Sequence, residues 1–148
     1  MSKVHEVMNR SFISVPPTML ITEAARKMRD SSDEVIVVCE NGRYKGLVTR
    51  EDIVSFIVSN SNDLARKSVA SVMNNGLPKI SAGVDILEAA KVMARKDIQH
   101  MPVVQNGKFL GLLTIDDLLY ESPALAVIVL TKHCEMKGRR ERELAQVN

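Results

Sequence analysis

The chain has 148 residues, of which 45% are apolar and 26% charged, and its formal net charge is +2. This balance is typical of a globular protein and argues against disorder, and the length suits one domain or two small units sharing a core. The longest apolar run, Ala124 to Leu130, is far shorter than the roughly 20 residues that span a bilayer.

The basic groups are concentrated at the C-terminal end. From Lys132 onward there are five basic and three acidic side chains, whereas residues 1–131 contain equal numbers of each. A neutral body lacks the clustered Lys and Arg of a nucleic-acid groove, so we do not expect nucleic-acid binding. Nucleic-acid binding through Arg139, Arg140 and Arg142 is a third and weaker alternative.

The cysteines and the N-terminal residues bear on the cellular location of the protein. Cys39 follows the apolar run Val35 to Val38, which predicts a buried small side chain rather than a reactive thiol. Met1-Ser2-Lys3 leads into polar residues and not into the apolar core of a secretory signal. We therefore expect a soluble, cytoplasmic protein.

The chain repeats itself at a shift of 65 positions. The motif Gly-x-x-Thr-x-x-Asp occurs at Gly46 to Asp52 and again at Gly111 to Asp117. Further matched pairs run through both copies: Val4/Val69, Met8/Met73, Ile21/Ile86, Glu23/Glu88, Ala24/Ala89, Ala25/Ala90, Met28/Met93, Asn41/Asn106 and Gly42/Gly107.

Each copy begins with an extended stretch and an amphipathic helix. In the first copy, residues 12–16 are predicted to be extended, ending at Pro16-Pro17. The next apolar residues follow helical spacing: Ile21, Ala24, Ala25 and Met28. Asp85 and Glu88 are predicted to cap the matching helix of the second copy, whereas Leu20 stands at the cap position of the first.

A hairpin and a second helix complete each copy. Val35 to Val38 is predicted to be a buried strand, Asn41-Gly42 a tight turn, and Lys45 to Val48 the returning strand. The second helix is predicted from about Arg50 to Val58, with four side chains facing inward: Ile53, Val54, Ile57 and Val58. The order is strand–helix–strand–strand–helix in both copies.

Two further segments lie outside the repeat. Ser59 to Ser68 is polar and is predicted to be a loop or a short helix. Ser122-Pro123 is a favourable helix start, which predicts a helix to about Met136 that ends near Gly138, followed by a mobile tail. Its apolar beginning, Ala124 to Leu130, must be covered by the protein itself or by a second chain.

The repeated Thr and Asp admit two interpretations. Thr49 with Asp52, and Thr114 with Asp117, have the spacing of a capping box, in which both side chains bond free N–H groups at a helix start. A strand that feeds directly into a helix N-terminus can also bind an anion, because unpaired N–H groups and the helix dipole favour negative charge there.

The duplicated pattern, together with His100-Met101-Pro102-Val103-Val104, resembles a tandem pair of cystathionine-β-synthase (CBS) domains, a Bateman module. The resemblance covers residues 4–121. It implies an α/β (α+β) fold in which two pseudo-two-fold-related units, residues 1–60 and 61–122, form one module. Residues 123–148 would add a C-terminal helix and a basic tail.

The resemblance also implies a ligand and its contacts. Such modules hold adenosine-containing ligands (AMP, ADP, ATP or S-adenosylmethionine) in clefts between the two units. Asp52 and Asp117 stand at the ribose position, and Thr49 and Thr114 at the phosphate position. The purine would contact the leading stretches 10–13 and 75–80 and the middle strands: Ile13, Val35, Ile36, Pro78, Ile80, Ile98, Met101 and Pro102.

The two clefts are chemically unequal. His100 is either a structural residue or a phosphate ligand, and the first copy has Val35 in its place. Arg50 is either a phosphate ligand or a solvated residue, and the second copy has Ile115 there. We therefore predict that one cleft binds more tightly, without specifying which.

The sequence offers no P-loop, no nucleophile–base pair and no spacing typical of a metal site, so we expect neither an enzyme nor a metal protein. The hypothesis is a regulatory module that binds adenine nucleotides, forms homodimers and signals occupancy to an unidentified partner. The alternative is a structural homodimerisation module with empty clefts, in which Thr and Asp serve only as caps.

Overall fold

The computed structural model describes residues 1–60 and 64–147. It has a mixed α/β fold with five strands, and its elements follow the chain in this order: α1 (Val4–Val7), β1 (Ser14–Val15), α2 (Ile21–Ser31), β2 (Val35–Glu40), β3 (Arg43–Thr49), α3 (Arg50–Ser59), α4 (Ile86–Lys96), β4 (His100–Gln105), β5 (Lys108–Thr114), α5 (Ile115–Glu121) and α6 (Pro123–Val147). No helix in the described ranges is both long and apolar enough to cross a membrane.

The predicted order of elements is confirmed in the first copy, where β1, α2, β2, β3 and α3 follow one another. In the second copy the first strand is reduced to a single parallel bridge between Ile80 and Val103. In the polar join, a short 3₁₀ turn spans Leu64–Arg66, and residues 61–63 lie outside the described ranges.

The chain forms two compact units that interleave the two repeats. The Thr49 unit comprises residues 11–77 and 106–109, and the Thr114 unit comprises residues 1–10, 78–105 and those from Leu110 onward. Each unit therefore contains the short leading segment of the other repeat. The ranges 1–60 and 61–122 describe the sequence repeats, and the compact units cross both.

In the Thr49 unit, β2 lies between β1 and β3. β1 pairs in parallel with β2, Ser14 opposite Val37, and β2 pairs antiparallel with β3, Val37 opposite Leu47. Apolar side chains of these strands and of α2 form one cluster with Ile53 of α3 and with Val69: Val15, Ile21, Ala24, Met28, Ile36, Val38 and Val48. The buried strand and the helical stripe predicted from the sequence are thereby confirmed.

Both hairpins turn on Asn-Gly, as predicted. Asn41 and Gly42 have φ values of 54° and 77°, and Asn106 and Gly107 have values of 54° and 80°. These left-handed angles match the twist of adjacent antiparallel strands, and Asn and Gly tolerate them best. Residues 106–109 belong to the Thr49 unit, where Arg43 pairs with Lys108.

The Thr114 unit buries the matching faces of α4 and α5 beneath α6. Leu125, Ala126 and Val129 of α6 join the cluster formed by α4, β4, β5 and α5. Of the apolar run Ala124 to Leu130, the protein itself thus covers one face, while Val127 and Ile128 stay exposed.

Equivalent backbone hydrogen bonds attach each leading segment to the helix of the other repeat. The N–H of Ile86 donates to the Ser2 carbonyl at 3.0 Å, and the N–H of Ile21 donates to the Lys67 carbonyl at 2.9 Å. These bonds satisfy the first N–H group of each helix, which would otherwise need a side-chain cap or water.

The predicted side-chain caps of α4 are wrong. Asp85 occupies the N-cap position but makes no capping hydrogen bond, and its carboxylate accepts from Lys3 Nζ at 2.6 Å. This hydrogen bond and the Lys3 charge lower the pKa of Asp85. Glu88 accepts from Lys91 at 3.2 Å instead of reaching back to the helix start.

The prediction that four apolar side chains of α3 face inward is wrong for three of them. Ile53 is buried, but Val54, Ile57 and Val58 are 59%, 41% and 78% exposed. In the second repeat Leu119, the counterpart of Val54, is likewise 50% exposed, and Ile57 and Val58 correspond to Ser122 and Pro123.

The predicted end of α6 is also wrong, because the helix continues through Gly138 to Val147. A glycine inside a helix costs only about 1 kcal/mol, and the residues that follow are good helix formers. Contacts with Asp97, at the C-cap of α4, hold this half of α6. Asp97 Oδ1 lies 2.9 Å from His133 Nδ1, and Asp97 Oδ2 accepts from Arg140 at 2.9 Å.

Candidate functional site

The repeated motif places one Thr and one Asp at each strand-to-helix junction. β3 ends at Thr49, which is the N-cap of α3. The N–H of Thr49 donates to Asp52 Oδ2 at 2.8 Å, and the N–H of Asp52 donates to Thr49 Oγ1 at 3.1 Å. The predicted capping box is confirmed, and both side chains are half-buried.

The second junction has the same geometry and one additional bond. The N–H of Thr114 donates to Asp117 Oδ2 at 2.8 Å, and the N–H of Asp117 donates to Thr114 Oγ1 at 3.2 Å. The Thr114 hydroxyl also donates to Asp117 Oδ2 at 2.9 Å. In both boxes the Asp side chain uses Oδ2, and Oδ1 has no hydrogen bond within residues 1–60 and 64–147.

The free N–H groups at these helix starts are few. The N–H of Arg50 donates to the Glu34 carbonyl at 3.1 Å, and the N–H of Ile115 donates to the Gln99 carbonyl at 3.0 Å. The third N–H of each helix donates to the capping Thr. A phosphate would therefore meet the second N–H of the helix, from Glu51 or Asp116, together with a hydroxyl that is already engaged.

Each compact unit gathers one set of the predicted ligand residues. Ile13, Val35 and Ile36 share a unit with the first box; Pro78, Ile80, Ile98, His100, Met101 and Pro102 share a unit with the second. Val35 stands opposite Thr49 in the hairpin, and Ile80 exchanges backbone bonds with Pro102 and Val104.

The predicted purine-lining side chains differ in burial. Ile36 and Met101 are fully buried in the core clusters, and Ile80 is 9% exposed. Ile13 and Ile98 lie at the margins of these clusters, and Val35 and Pro78 are half-buried. The ligand-lining role of all these residues stays a prediction.

Arg50 and His100, the two candidate phosphate ligands without a counterpart in the other repeat, have different surroundings. Arg50 is exposed and lies beside α2, at the edge of a groove formed with Ala25, Met28 and Arg29. His100 opens β4, is half-buried and already takes part in an interaction within the protein. Their roles as phosphate ligands stay predictions.

Sequence reasoning missed a groove at the turn end of the Thr49 unit. It measures about 430 Å³ and is lined in part by Phe12, Ser14, Cys39 and Phe109. Phe109 meets Phe12 edge-to-face at 4.5 Å and stacks on Tyr44 at 5.8 Å. Cys39 is half-buried rather than buried, and this burial raises the pKa of its thiol despite a hydrogen bond with Ser14.

The glycine of the motif permits close contact with a neighbouring backbone. A Cβ atom on Gly46 would lie 2.9 Å from the Asn74 carbonyl oxygen, and one on Gly111 would lie 2.8 Å from the Asn9 carbonyl oxygen. The residue after each glycine forms a backbone hydrogen bond with the same segment: Leu47 bonds with Asn74, and Leu112 bonds with Asn9. Glycine is therefore a packing requirement at this position.

The described part of the chain contains no group of three or more His, Cys, Asp or Glu side chains able to hold a metal ion.

Comparison with known proteins identifies the repeat. The family model described as "CBS domain" matches residues 4–59 and 69–124. The uncharacterised protein MK0525 of Methanopyrus kandleri is 32% identical over 140 residues, which cover 93% of this chain and 70% of that protein.

Solved structures share the fold. A conserved CBS domain protein of unknown function from Thermoplasma acidophilum, TA0289, aligns with a TM-score of 0.77 and 23% identity over 89% of this chain and 76% of that one. A hexameric CBS-CP12 protein from bloom-forming cyanobacteria aligns with a TM-score of 0.71 and 21% identity over 82% of this chain and 68% of that one. The two family-model matches span most of the sequence, and the chain therefore belongs to the CBS domain family, of which it carries two copies in tandem.

Proposed function

We propose that this protein is a non-catalytic regulatory module that binds adenosine-containing ligands (AMP, ADP, ATP or S-adenosylmethionine) and signals their occupancy to a partner protein. The single observation that carries the proposal is the duplicated Thr–Asp box. Each half-buried carboxylate is held by its cap through Oδ2, which leaves Oδ1 as an acceptor. An ionised carboxylate can accept hydrogen bonds from the adjacent ribose hydroxyls.

The two copies would contribute different charge to a phosphate. Arg50 accompanies the first box and has the neutral Ile115 as its counterpart, while His100 belongs to the second unit and has Val35 as its counterpart. One copy should therefore bind a given nucleotide more tightly. The affinity expected for a ribose clamp with a few phosphate contacts is micromolar, which corresponds to about −8 kcal/mol.

Regulation follows if the ligand prefers one of two arrangements of the module. A ligand shifts a conformational equilibrium only by the difference between its affinities for the two states. We also propose that the protein self-associates, and the hexameric state of the cyanobacterial CBS-CP12 protein supports this proposal. The proposed ligands are cytoplasmic metabolites, so a cytoplasmic location is part of the proposal.

Calorimetric titration of the full chain with AMP, ADP, ATP and S-adenosylmethionine tests the ligand. Asp52→Asn and Asp117→Asn retain an oxygen that can accept the cap bond but remove the charge, so each should abolish binding at one copy and spare the other. Glu40→Gln is the control, since it removes an exposed carboxylate outside both boxes.

The alternative function is a structural homodimerisation module in which the Thr–Asp boxes serve only as caps. The engaged hydroxyls and N–H groups at both helix starts favour it. It predicts no heat and no thermal shift with any of the four ligands, and that result would overturn the nucleotide proposal. Binding that survives both Asn variants would overturn the ribose assignment.

A further inference from the structure

The groove at the turn end of the Thr49 unit has the size and the lining of a small-molecule site. It measures about 430 Å³, within the roughly 300–1,000 Å³ of ordinary ligand pockets. The half-buried rings of Phe12 and Phe109 form its aromatic wall, and polar groups come from Ser14, Cys39 and Asn41. An apolar wall with a few polar groups is the usual composition of a site for a small organic ligand.

Two other aromatic rings hold Phe109 in place. Phe109 stacks on Tyr44 with an interplanar angle of 19°, and it meets Phe12 edge-to-face with an angle of 89°. Tyr44 is only 8% exposed, so this stack anchors Phe109 to the interior of the unit. Because the wall is ordered before a ligand arrives, a further flat ring can join the cluster at little cost in conformational entropy.

None of the described residues that line the groove carries a charge. The charged neighbours of the lining in the chain, Glu40, Arg43 and Lys108, are exposed and lie outside it. The Arg43 guanidinium lies against the second turn, where its Nη2 is 2.6 Å from the position that a Cβ on Gly107 would take. Burial of a charged group without a partner costs free energy, so the groove favours an uncharged ligand over a phosphate or a carboxylate.

The second repeat does not reproduce this lining. At the shift of 65, three lining residues have counterparts of different chemistry: Leu77 for Phe12, Lys79 for Ser14 and Val104 for Cys39. One ring of the wall is thereby replaced by an aliphatic side chain, the hydroxyl by a cation and the thiol by a methyl-bearing side chain. The composition of the groove is therefore a property of the first repeat and does not follow from the tandem fold alone.

The groove is separate from the Thr–Asp box of its own unit. In the β2–β3 hairpin, Val35 stands opposite Thr49 at one end, and Cys39 stands opposite Tyr44 near the other. Along a strand, the distance from Val35 to Cys39 is roughly 13 Å. A ligand that contacts Cys39 therefore occupies the opposite end of the hairpin from the box.

We propose that this groove binds an uncharged small molecule that has an aromatic ring and a hydrogen-bonding substituent. The ring packs against Phe12 and Phe109, and the substituent bonds with the Ser14 hydroxyl or the Asn41 amide. This site is additional to the proposed adenosine sites, because it takes a ligand of another chemical class. It does not depend on nucleotide binding.

Protection of Cys39 from alkylation tests the site. The full chain is treated with iodoacetamide at increasing concentrations of indole-3-carboxamide, and mass spectrometry follows Cys39 and Cys134 separately. We expect the saturating amide to slow alkylation of Cys39 by about five-fold and to leave that of the exposed Cys134 unchanged, because Cys39 lines the groove and Cys134 does not. Half-maximal protection is expected at about 1 mM for a ligand of this size. No slowing at Cys39, or equal slowing at both cysteines, overturns the proposal.

Indole-3-carboxylate tests the chemical class of the ligand, since it has the shape of the amide and a negative charge. The same protection should need at least about ten-fold more carboxylate than amide. Ser14→Lys introduces the residue that the second repeat carries at this position, Lys79, and should reverse the preference in favour of the carboxylate. Equal protection by both ligands in the unmodified chain, or a Ser14→Lys variant that still prefers the amide, overturns the proposed ligand class.

Two further variants locate the ligand. Phe12→Ala removes one ring of the wall and should raise the half-maximal concentration by roughly ten-fold, and Tyr120→Ala, which removes an exposed ring outside the groove, is its control. A Phe12→Ala variant that is protected as well as the control contradicts the ring contact. Asp52→Asn should leave the protection of Cys39 unchanged. Its loss in this variant would place the ligand at the Thr–Asp box and overturn the additional site, whereas the adenosine proposal would stand.

Discussion

At the scale of single residues, Asp52 and Asp117 show how one side chain can serve both structure and binding. The Oδ2 atom of each holds the N–H of its Thr, which fixes the carboxylate at the helix start. A carboxylate that is fixed before a ligand arrives loses little conformational entropy on binding. The cap and the proposed ribose contact are therefore compatible.

Cys39 supplies a prediction at the same scale. Because burial raises the pKa of its thiol, less of it is thiolate at a given pH, and we expect iodoacetamide to alkylate it more slowly than the exposed Cys134 at about pH 8. Mass spectrometry of the two peptides over time measures both rates. The hydrogen bond with Ser14 lowers the pKa of Cys39, so Ser14→Ala should slow the reaction further. Alkylation of Cys39 as fast as that of Cys134 would contradict the prediction.

At the scale of elements, the strand that leads into each box is held by a segment from the other repeat. The N–H of Asn74 donates to the Leu47 carbonyl at 2.8 Å, and the N–H of Asn9 donates to the Leu112 carbonyl at 2.8 Å. The approach is close enough that only a residue without Cβ fits at Gly46 and Gly111. Backbone hydrogen bonds thus tie the two repeats together at both motif strands.

We expect Gly46→Ala and Gly111→Ala each to lower the free energy of unfolding by about 1–3 kcal/mol, since the added methyl group displaces a hydrogen-bonded backbone. Chemical denaturation measures the change. Gly83→Ala is the matched control, because a Cβ there meets no atom within 4 Å and its φ is not left-handed. Equal stability of the Gly111→Ala and Gly83→Ala variants would show that the contact is not tight.

At the scale of the whole molecule, α6 is part of the core of its unit and not an appendage. Leu125, Ala126 and Val129 are buried against α4 and α5. Losing their burial costs about 4–6 kcal/mol, a large share of the roughly 5–15 kcal/mol that stabilises an ordinary domain.

Two truncations separate the halves of α6. A chain ending at Ser122 should lose cooperative thermal unfolding and aggregate, because the faces of α4 and α5 become exposed. A chain ending at Met136 keeps the buried residues and loses the Arg140–Asp97 ion pair, whose exposed arginine contributes less than about 1 kcal/mol. Circular dichroism during heating distinguishes them. A cooperative transition in the shorter chain at the temperature of the full one would refute the core role of α6.

The sequence alone determined the repeat, the order of elements in the first copy, both Asn-Gly turns and both Thr–Asp boxes. These features depend on residues that are close in sequence: the left-handed residues of a turn, the helical spacing of apolar residues, and a cap formed between two residues three positions apart. The same local reasoning placed Val54, Ile57 and Val58 inside, because an amphipathic stripe shows that a face is apolar but not whether anything covers it.

Only the tertiary structure decided which segments meet. The exchange of leading segments between the repeats, the bonding of Asp85 to Lys3, the contact that requires Gly46 and Gly111, and the continuation of α6 beside Asp97 all join residues distant in sequence. A long-range contact depends on the position of both partners in space, and no local propensity encodes that position.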